Sequence, residues 1–253
     1  MKTAIITGGA GGLGRAIAQG LQVAGWYTVL LDIDVTALEQ TDRQQAIGVD
    51  LTDHARLAKV TAEIIATRPS IDLVIYNAGI THIGACETLT DPTHRKVFEI
   101  NYFAAVQLAQ IMLEPLRKSR GTHLAISSVA GFSPLFHRTA YAASKHAMEG
   151  FFGSLRSEEA VHGVSTLIAA PSFVATNIGN DQRQADGIAR PGSASDGVDY
   201  MSPEAAADRI LSGLERKQPF IPVGRLAWLS WWVNSLSPRL FQHLMERRLR
   251  KNN

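Results

Sequence analysis

The residues that decide the fold open the chain, where Ala4-Ile5-Ile6 leads into Thr7-Gly8-Gly9-Ala10-Gly11-Gly12-Leu13-Gly14. The apolar triplet predicts a buried β-strand, and the periodic apolar positions after the glycines predict a helix that runs to Ala24. Glycines at this junction let the backbone turn tightly and approach a pyrophosphate, and the helix N-terminus offers N–H donors. The stretch therefore predicts a dinucleotide-binding turn rather than a merely glycine-rich one.

The glycines fit two known spacings of such a turn. Gly8, Gly12 and Gly14 follow GxxxGxG, while Gly9, Gly11 and Gly14 follow GxGxxG. Both spacings predict the same contact between backbone and pyrophosphate, so the choice between them does not affect the interpretation.

Outward from this turn, short apolar runs alternate with longer helical patterns. The runs predict strands at 4–6, 27–31, 46–49, 71–76, 123–127, 164–169 and 219–221, and helices at about 52–67, 90–118, 139–161 and 203–216. Strands that are apolar on both faces and alternate with helices predict a doubly wound α/β fold, with a seven-stranded parallel sheet and its ligand at the strands' carboxyl ends. We expect a single domain over 1–253, with a substrate loop at about 176–202 and a helical tail at about 225–251.

Composition excludes several classes of protein. Of 253 residues, 45% are hydrophobic, which is enough for a large core and excludes a disordered chain. Basic and acidic residues number 25 and 23, so no basic field predicts a nucleic-acid partner. No apolar run reaches the roughly 20 residues of a membrane span, and the start lacks the roughly 7–15 apolar residues of a signal peptide.

The sulfur and imidazole groups give no sign of a special site. Cys86 is the single cysteine, which excludes an intramolecular disulfide and fits a reducing compartment, so we expect a cytoplasmic protein with an inert thiol. The eight histidines form no metal-binding spacing, so we expect no metal.

An acid ends the second predicted strand. Asp32 stands where a carboxylate can accept both hydroxyls of an adenosine ribose, and its charge would repel a 2′-phosphate. No Arg or Lys lies within the turn before Gly14 or directly after Asp32. The pattern favours NAD over NADP. The alternative role, an acid at a helix N-terminus, suits Asp34 better than Asp32.

Two side chains at helical spacing suggest acid–base chemistry. Tyr141 and Lys145 lie one turn apart, and an ammonium group near a phenol lowers its pKa towards a useful range. Such a pair is common on exposed helices, so Ser128 adds weight, since a hydroxyl at the end of the fifth strand can bind a substrate oxygen. Asn101 is a poor residue for a helix interior and marks either a kink or a water site.

Together these motifs resemble the short-chain dehydrogenase/reductase family, in its branch of chains of about this length. The resemblance runs from Lys2 to about Thr176 and more loosely to the seventh strand. It implies a catalytic tetrad of Asn101, Ser128, Tyr141 and Lys145. The cofactor-binding positions that it implies are Gly8, Gly12, Leu13, Gly14, Asp32, Asp50, Leu51, Asn77, Ala78, Gly79, Tyr141, Lys145, Pro171, Val174 and Thr176.

The resemblance also implies roles for these residues. Tyr141 would exchange a proton with the substrate oxygen, which Ser128 would hold. Lys145 would bind the nicotinamide ribose and lower the tyrosine pKa, and Asn101 would position a water molecule. The family commonly forms homodimers or homotetramers through the helix of Tyr141.

Two positions depart from the family pattern. Tyr76 stands where the family usually has Asn, and Pro171-Ser172 stands where it often has Pro-Gly. Neither departure removes a catalytic group.

The sequence thus predicts an NAD(H)-dependent oxidoreductase that interconverts a secondary alcohol and a ketone. The pocket candidates are mostly apolar, which favours a hydrophobic substrate: Ile80, His82, Ala130, Phe132, Phe136 and Phe173. We expect substrate contact from His82, Ala130, Phe136 and Phe173. A non-catalytic NAD(H)-binding redox regulator, or an epimerase or dehydratase of related fold, remains the alternative.

The tail follows a pattern of its own. Trp228, Trp231 and Trp232 lie at helical spacing, and the chain ends in a basic cluster of Arg247, Arg248, Arg250 and Lys251. An apolar aromatic face with a cationic end is typical of a membrane interface. Aromatic stripes more often pack on their own domain or on a partner subunit. We favour a tail that covers the substrate site and keep membrane-surface contact as the alternative.

Overall fold

The computed structural model describes residues 1–176, 186–189 and 200–244. Its strands are β1 (Thr3–Thr7), β2 (Tyr27–Asp32), β3 (Gln44–Gly48), β4 (Leu73–Tyr76), β5 (Thr81–His82), β6 (Thr122–Ile126), β7 (Ser165–Pro171), β8 (Ile188–Ala189) and β9 (Phe220–Val223). Seven of them form a parallel sheet in the order β3-β2-β1-β4-β6-β7-β9. The predicted seven-stranded, doubly wound sheet is confirmed. The short strands β5 and β8 form a separate antiparallel pair.

Helices cover both faces of this sheet. They are α1 (Gly12–Val23), α2 (His54–Thr67), α3 (Asp91–Phe98), α4 (Ala104–Ser119), α5 (Thr139–Ala160), α6 (Pro203–Glu215) and α7 (Arg225–Leu236), and residues 238–244 are also helical. Ile5 of β1 faces a core shared with α2, α4 and α5, while its neighbours Ala4 and Ile6 face a core shared with α1 and α6. Alternate residues of a strand point to opposite faces, so an entirely apolar strand suits a sheet buried on both sides.

The predicted helix at 90–118 is interrupted. Between α3 and α4 the backbone forms a π-helical turn, Glu99–Phe103, with the buried Asn101 at its centre. The Asn101 side chain hydrogen-bonds to the backbone of Ile80, which draws this turn inward. A π-helical turn widens a helix locally and often marks a functional site.

Tyr76 explains one departure from the family pattern. Its side chain is fully buried in the core shared with α4 and α5, where it packs on Phe152 with ring centroids 4.7 Å apart. Its hydroxyl is hydrogen-bonded to Nδ1 of His123 at 2.6 Å. Tyr76 and His123 come from neighbouring strands, β4 and β6, so the Tyr stabilises the sheet from within the core.

Parts of the predicted loop and tail lie outside the described residues, at 177–185, 190–199 and 245–253. The division into one domain, a substrate loop and a tail stays a prediction. Among the residues that the structure does describe, no helix has the length and apolar character needed to cross a bilayer.

The buried His123 predicts a pH-dependent stability. Burial lowers its pKa from about 6.5 to about 4, with the charge of Arg117 reinforcing the shift and that of Glu159 opposing it. The unfolded chain therefore binds more protons below about pH 6.5, and stability is lost as the pH falls towards 4. From pH 7 to 5.5, we expect His123 to lower the free energy of unfolding by about 1 kcal/mol. Urea denaturation of the protein and of His123→Asn measures this, and an equal pH dependence in both would contradict it.

Candidate active site

The glycine turn connects β1 to α1. At Gly8 and Gly14 the neighbouring backbone lies too close to leave room for a side chain. Gly8 has φ +65°, which favours glycine, and a Cβ on Gly14 would overlap the carbonyl oxygen of Gly8. The turn is closed by the N–H of Gly11 donating to the Gly8 oxygen at 3.2 Å. The backbone is thus left open to a ligand at the N-terminus of α1.

Asp32 is tied to this turn. Its Oδ2 accepts the N–H of Ala10 at 2.9 Å, and its Oδ1 accepts the N–H of Ile33 at 2.8 Å. Both Asp32 and Ile33 line the main cavity. The carboxylate therefore orients the turn as well as facing the space where a ribose would lie.

Arg15 lies beside the same turn and was not anticipated. Its Nε donates to the carbonyl oxygen of Ala10 at 2.8 Å, and it lines the cavity together with Asp32. No cation precedes Gly14 in the turn or directly follows Asp32, but the first turn of α1 brings Arg15 back to Ala10. Its position directly after the last glycine was the available signal.

The end of β4 is held against the end of β1. Asn77 donates its Nδ2 to the carbonyl oxygens of Thr7 and Gly8, both at 3.0 Å. The N–H groups of Asn77 and Ala78 donate to Oγ1 of Thr7 at 3.0 and 3.1 Å. Ala78 and Gly79 are thereby placed in the cavity wall beside the glycine turn.

The remaining predicted cofactor positions lie along the same cavity. Asp50 and Leu51 follow β3, and Oδ1 of Asp50 accepts both the N–H and the hydroxyl of Thr52, at 2.9 and 2.8 Å. At the end of β7, the cavity wall includes Pro171, Val174 and Thr176. The predicted cofactor-binding residues of the glycine turn also line the cavity: Gly8, Gly12, Leu13 and Gly14.

Ser172, the second departure from the family pattern, lies in the loop that follows β7. Its N–H donates to the carbonyl oxygen of Val223 on β9 at 3.1 Å, which anchors this loop. Its side chain lies opposite Gly224, and its hydroxyl oxygen is buried with no hydrogen-bond partner among the described residues.

Three of the predicted catalytic residues meet inside the cavity. Ser128 follows β6, and Tyr141 and Lys145 come from the first turns of α5; all three line the cavity. Burial raises the pKa of Tyr141, while its hydrogen bond with Ser128 and the charge of Arg138 act in the opposite direction. The expected effect of Lys145 on this pKa stays a prediction.

Lys145 is buried beneath this cluster. Its Nζ donates to the carbonyl oxygen of Ile126 at 2.8 Å and lies 5.9 Å from the centroid of the Tyr141 ring. Burial lowers the pKa of Lys145 to about 8, and the carboxylate of Glu149, one turn further along α5, opposes that shift. Glu149 in turn accepts the hydroxyl of Ser127 at 2.6 Å.

Asn101 lies behind the cavity wall rather than in it. Its Oδ1 accepts the N–H of Ile80 at 2.8 Å, and its Nδ2 donates to the carbonyl oxygen of Ile80 at 2.9 Å and to Oγ of Ser144 at 3.0 Å. The amide therefore fixes the loop after β4 against α5, close to Lys145. The predicted water-positioning role stays a prediction.

The cavity has a volume of about 1160 Å³ and a polar and an apolar end. The polar end holds Asp32, Asp50 and the glycine turn. The apolar end includes the candidates Ile80, Phe136 and Phe173.

Two substrate candidates are corrected by the structure. His82 is buried in β5, where its ring packs against Gly84 and Gly187, and it does not reach the cavity. The pairing of β5 with β8 causes this burial, and it joins positions too distant in sequence to foresee. Ala130 is fully buried behind Ser128, to whose Oγ its N–H donates at 3.2 Å. Phe132 also lies off the cavity and packs on Phe220.

The start of the tail forms a wall of the cavity. The helix α7 is anchored by Trp231, which stacks on Phe220, and by Asn234, whose Nδ2 donates to the carbonyl oxygen of Phe132 at 2.6 Å. The residues that line the cavity are Leu226, Leu229, Ser230, Val233, Phe241 and Leu244. Among the described residues of α7, the aliphatic side chains Leu226, Leu229 and Val233 face the cavity, and the tryptophans do not.

Comparison with known proteins agrees with this geometry. The profile of the family described as short chain dehydrogenase matches residues 2–187. Dehydrogenase/reductase SDR family member 7B of Bos taurus is 32% identical, over 98% of this chain and 81% of that protein. Dehydrogenase/reductase SDR family protein 7-like of Drosophila melanogaster is 29% identical, over 98% and 80%.

Solved structures share the fold. A short-chain dehydrogenase from Streptomyces avermitilis has a TM-score of 0.81 at 26% identity and covers all of both chains. A short-chain dehydrogenase from Burkholderia cenocepacia in complex with NADP has a TM-score of 0.84 at 20% identity, over 96% of both chains. A 4-hydroxyisoleucine dehydrogenase complexed with NADH has a TM-score of 0.65 at 25% identity, over 69% of this chain and 74% of the other. With its Rossmann-like sheet, its glycine turn and these relatives, the chain belongs to the short-chain dehydrogenase/reductase family of oxidoreductases.

Proposed function

We propose that the protein interconverts a secondary alcohol and a ketone, with NAD(H) as its cofactor and an apolar molecule as its substrate. The observation that carries the proposal is the meeting of Tyr141, Ser128 and Lys145 in the cavity that also contains the glycine turn. The same cavity would then hold both a dinucleotide cofactor and the substrate carbon that reacts.

The residues present fit a nicotinamide dinucleotide. A Cβ at Gly8 or Gly14 would overlap the backbone of Ala78 or of Gly8, so the glycines let the turn close tightly, and Asp32 and Asp50 offer carboxylates at the same end. A cavity of about 1160 Å³ exceeds the roughly 300–1,000 Å³ of common small-molecule sites, which leaves space for a substrate as well. When bound, such a cofactor supplies or accepts the hydride.

The chain's own residues would handle the proton. The raised pKa keeps Tyr141 protonated at neutral pH, so its hydroxyl can donate to the oxygen of a ketone. Ser128, hydrogen-bonded to Tyr141, would hold that same oxygen. For alcohol oxidation Tyr141 must first lose its proton, and Ser128, Arg138 and the ammonium of Lys145 would stabilise the phenolate.

The apolar end of the cavity supports a hydrophobic substrate. Its walls include the apolar side chains of Phe136, Phe173, Leu229 and Val233, with Arg138 near Tyr141 as a charged residue in the same cavity. A non-catalytic redox regulator remains the alternative, since it would use the glycine turn without needing the hydroxyls of Tyr141 and Ser128. Turnover of alcohols or ketones separates the two.

The choice of NAD rests on Asp32, with Arg15 as the opposing observation. The Asp32 carboxylate would accept ribose hydroxyls and repel a 2′-phosphate. Arg15 lines the same part of the cavity and could attract that phosphate, which makes NADP the second candidate. The solved relatives hold either cofactor.

Homo-oligomer formation is part of the proposal. Phe152 is fully buried and belongs to the core, whereas Phe151 is half-buried against Tyr102. Phe103, at the start of α4, is exposed over 45% of its surface. Phe103 and Phe151 are therefore available to a partner subunit along α4 and α5, whereas Phe152 is not.

We expect Tyr141→Phe to lower turnover by about 10²–10⁴-fold, because it deletes the proton carrier and leaves the ring and the glycine turn intact. Cofactor affinity, followed by NADH fluorescence, should change by no more than a few-fold. Tyr102→Phe, outside the cavity wall, is the matched control and should keep full activity. Near-full activity in Tyr141→Phe would contradict the mechanism, and no turnover by the unmodified protein across a panel of apolar ketones would favour the regulator.

For the cofactor, we expect the unmodified protein to use NADH better than NADPH. Asp32→Asn removes the charge but keeps an oxygen for the Ala10 N–H, so the ratio of kcat/KM for NADPH to that for NADH should rise about tenfold or more, or about 1.4 kcal/mol. Asp34→Asn, on the same cavity wall, is the matched control and should leave the ratio unchanged. Wild-type preference for NADPH by tenfold would overturn the NAD assignment.

A further inference from the structure

The helix α7 presents few polar side chains to water, namely those of Arg225 and Ser235, next to several large apolar ones. Its inward side, which includes Ala227, Trp231 and Asn234, packs on the domain. Leu226 and Val233 face the cavity. These two sides of α7 are enough to pack the helix on the domain and to form the cavity wall. Neither role explains why the third side of the helix is also apolar.

The third side of α7 points away from the protein and is mostly apolar. Trp228 and Trp232 are exposed over 54% and 43% of their surfaces, and Leu236 over 77%. Leu240, in the helical segment that follows, is half exposed as well. Large apolar side chains grouped on one face mark an interaction surface, whereas isolated ones do not. We call these four residues the outer face of the tail.

The Asp, Glu, Lys and Arg residues on the two helical segments of the tail, as far as the structure describes them, are all basic. Arg225 and Arg239 are exposed on the same two helical segments. From residue 216 to residue 245 the sequence contains no Asp or Glu, although the whole chain has 23 acidic residues against 25 basic ones. The sequence beyond the described part continues with Glu246 and then with a basic cluster, Arg247, Arg248, Arg250 and Lys251.

We propose that the outer face docks on the surface of an anionic lipid bilayer, with α7 lying in the plane of the interface. Tryptophan rings suit the headgroup region because they combine an apolar body with a polar N–H. Lysine and arginine near such a face are attracted to anionic headgroups. The 12 residues of α7 span about 18 Å, well short of the roughly 30 Å hydrocarbon core, which fits a helix that lies on the bilayer.

A second copy of the chain fits this face less well. A two-fold interface places the same patch of two subunits together. Arg225 and Arg239 would then meet the same cations of the partner, with no carboxylate on either tail segment to pair with them. Like charges brought together in this way disfavour association. A bilayer with anionic headgroups supplies the missing charge.

The outer face is continuous with the cavity. Leu229 is 54% exposed and also lines the cavity, and the same holds for Phe136 and Leu244 at 48% and 49%. A protein docked through α7 would therefore present the apolar end of its cavity towards the lipid. Docking on a bilayer requires no turnover, so the docking proposal is tested independently of the proposed reaction.

Flotation of the full-length protein with vesicles tests the proposal. We expect binding to vesicles of phosphatidylcholine and phosphatidylglycerol, and at least tenfold weaker binding to phosphatidylcholine alone. Raising the salt from about 0.1 M to about 1 M should also weaken binding, since the Debye length falls from roughly 10 Å to 3 Å. Lipids brominated on their acyl chains should quench the fluorescence of Trp228 and Trp232.

Three variants assign the binding to the outer face. Trp228→Ser with Trp232→Ser should lower the affinity for anionic vesicles at least tenfold, and Arg225→Glu with Arg239→Glu should remove the preference for anionic lipid. Val23→Ser with Val161→Ser is the matched control, because both valines are apolar and more than 80% exposed at other helix ends. Binding of a nicotinamide cofactor in each variant, measured without vesicles, checks that it is folded.

Each alternative outcome overturns the proposal. If no vesicle binds and the protein sediments as an oligomer that the paired tryptophan variant dissociates, the outer face is a subunit interface. If the paired tryptophan variant changes neither vesicle binding nor the oligomeric state, the outer face binds neither a bilayer nor a second subunit. If the valine control loses as much vesicle binding as the tryptophan variant, the binding does not depend on α7.

Discussion

The hydrogen bonds that join the ends of β1, β2 and β4 are the constraint on which the rest of the site depends. Thr7 and Asn77 bind β4 to β1, and Asp32 binds the glycine turn to β2. Because the strands are parallel, their carboxyl ends meet at one edge, and these bonds turn that edge into the floor of the cavity. Without them, the glycines would be a flexible loop rather than a preformed cradle.

Burial shifts the pKa values of Tyr141 and Lys145, which lie in the same cavity as the glycine turn. It raises the pKa of Tyr141 and lowers that of Lys145 to about 8, which moves the two values apart. The polar neighbours oppose both shifts: Ser128 favours the phenolate, and Glu149 favours the ammonium. A phenol and an ammonium group are thus held close together in the wall of one cavity.

Much of the fold and of the candidate site was open to prediction because it depends on local patterns. The glycine turn, Asp32 and the Tyr141–Lys145 spacing are short-range features, and the strands around them are continuous apolar runs. Arg15, the position of Asn101 behind the wall and the burial of His82 were not foreseen. Arg15 makes a local contact with Ala10 and could be recognised from its place directly after Gly14. The other two depend on contacts between distant elements, as when β8 covers His82 or Ile80 engages Asn101.

The sequence by itself determined the parallel sheet, the turn that opens α1 and the residue types of the proton-handling cluster, since hydrophobic period and glycine spacing act over a few residues. Only the tertiary structure decided which sides of α7 face the core, the cavity and the solvent. An apolar helix has no polar side to specify its orientation, so packing on β9 and the bond from Asn234 to Phe132 select it. That selection leaves Trp228 and Trp232 exposed, which the spacing of the tryptophans could not reveal.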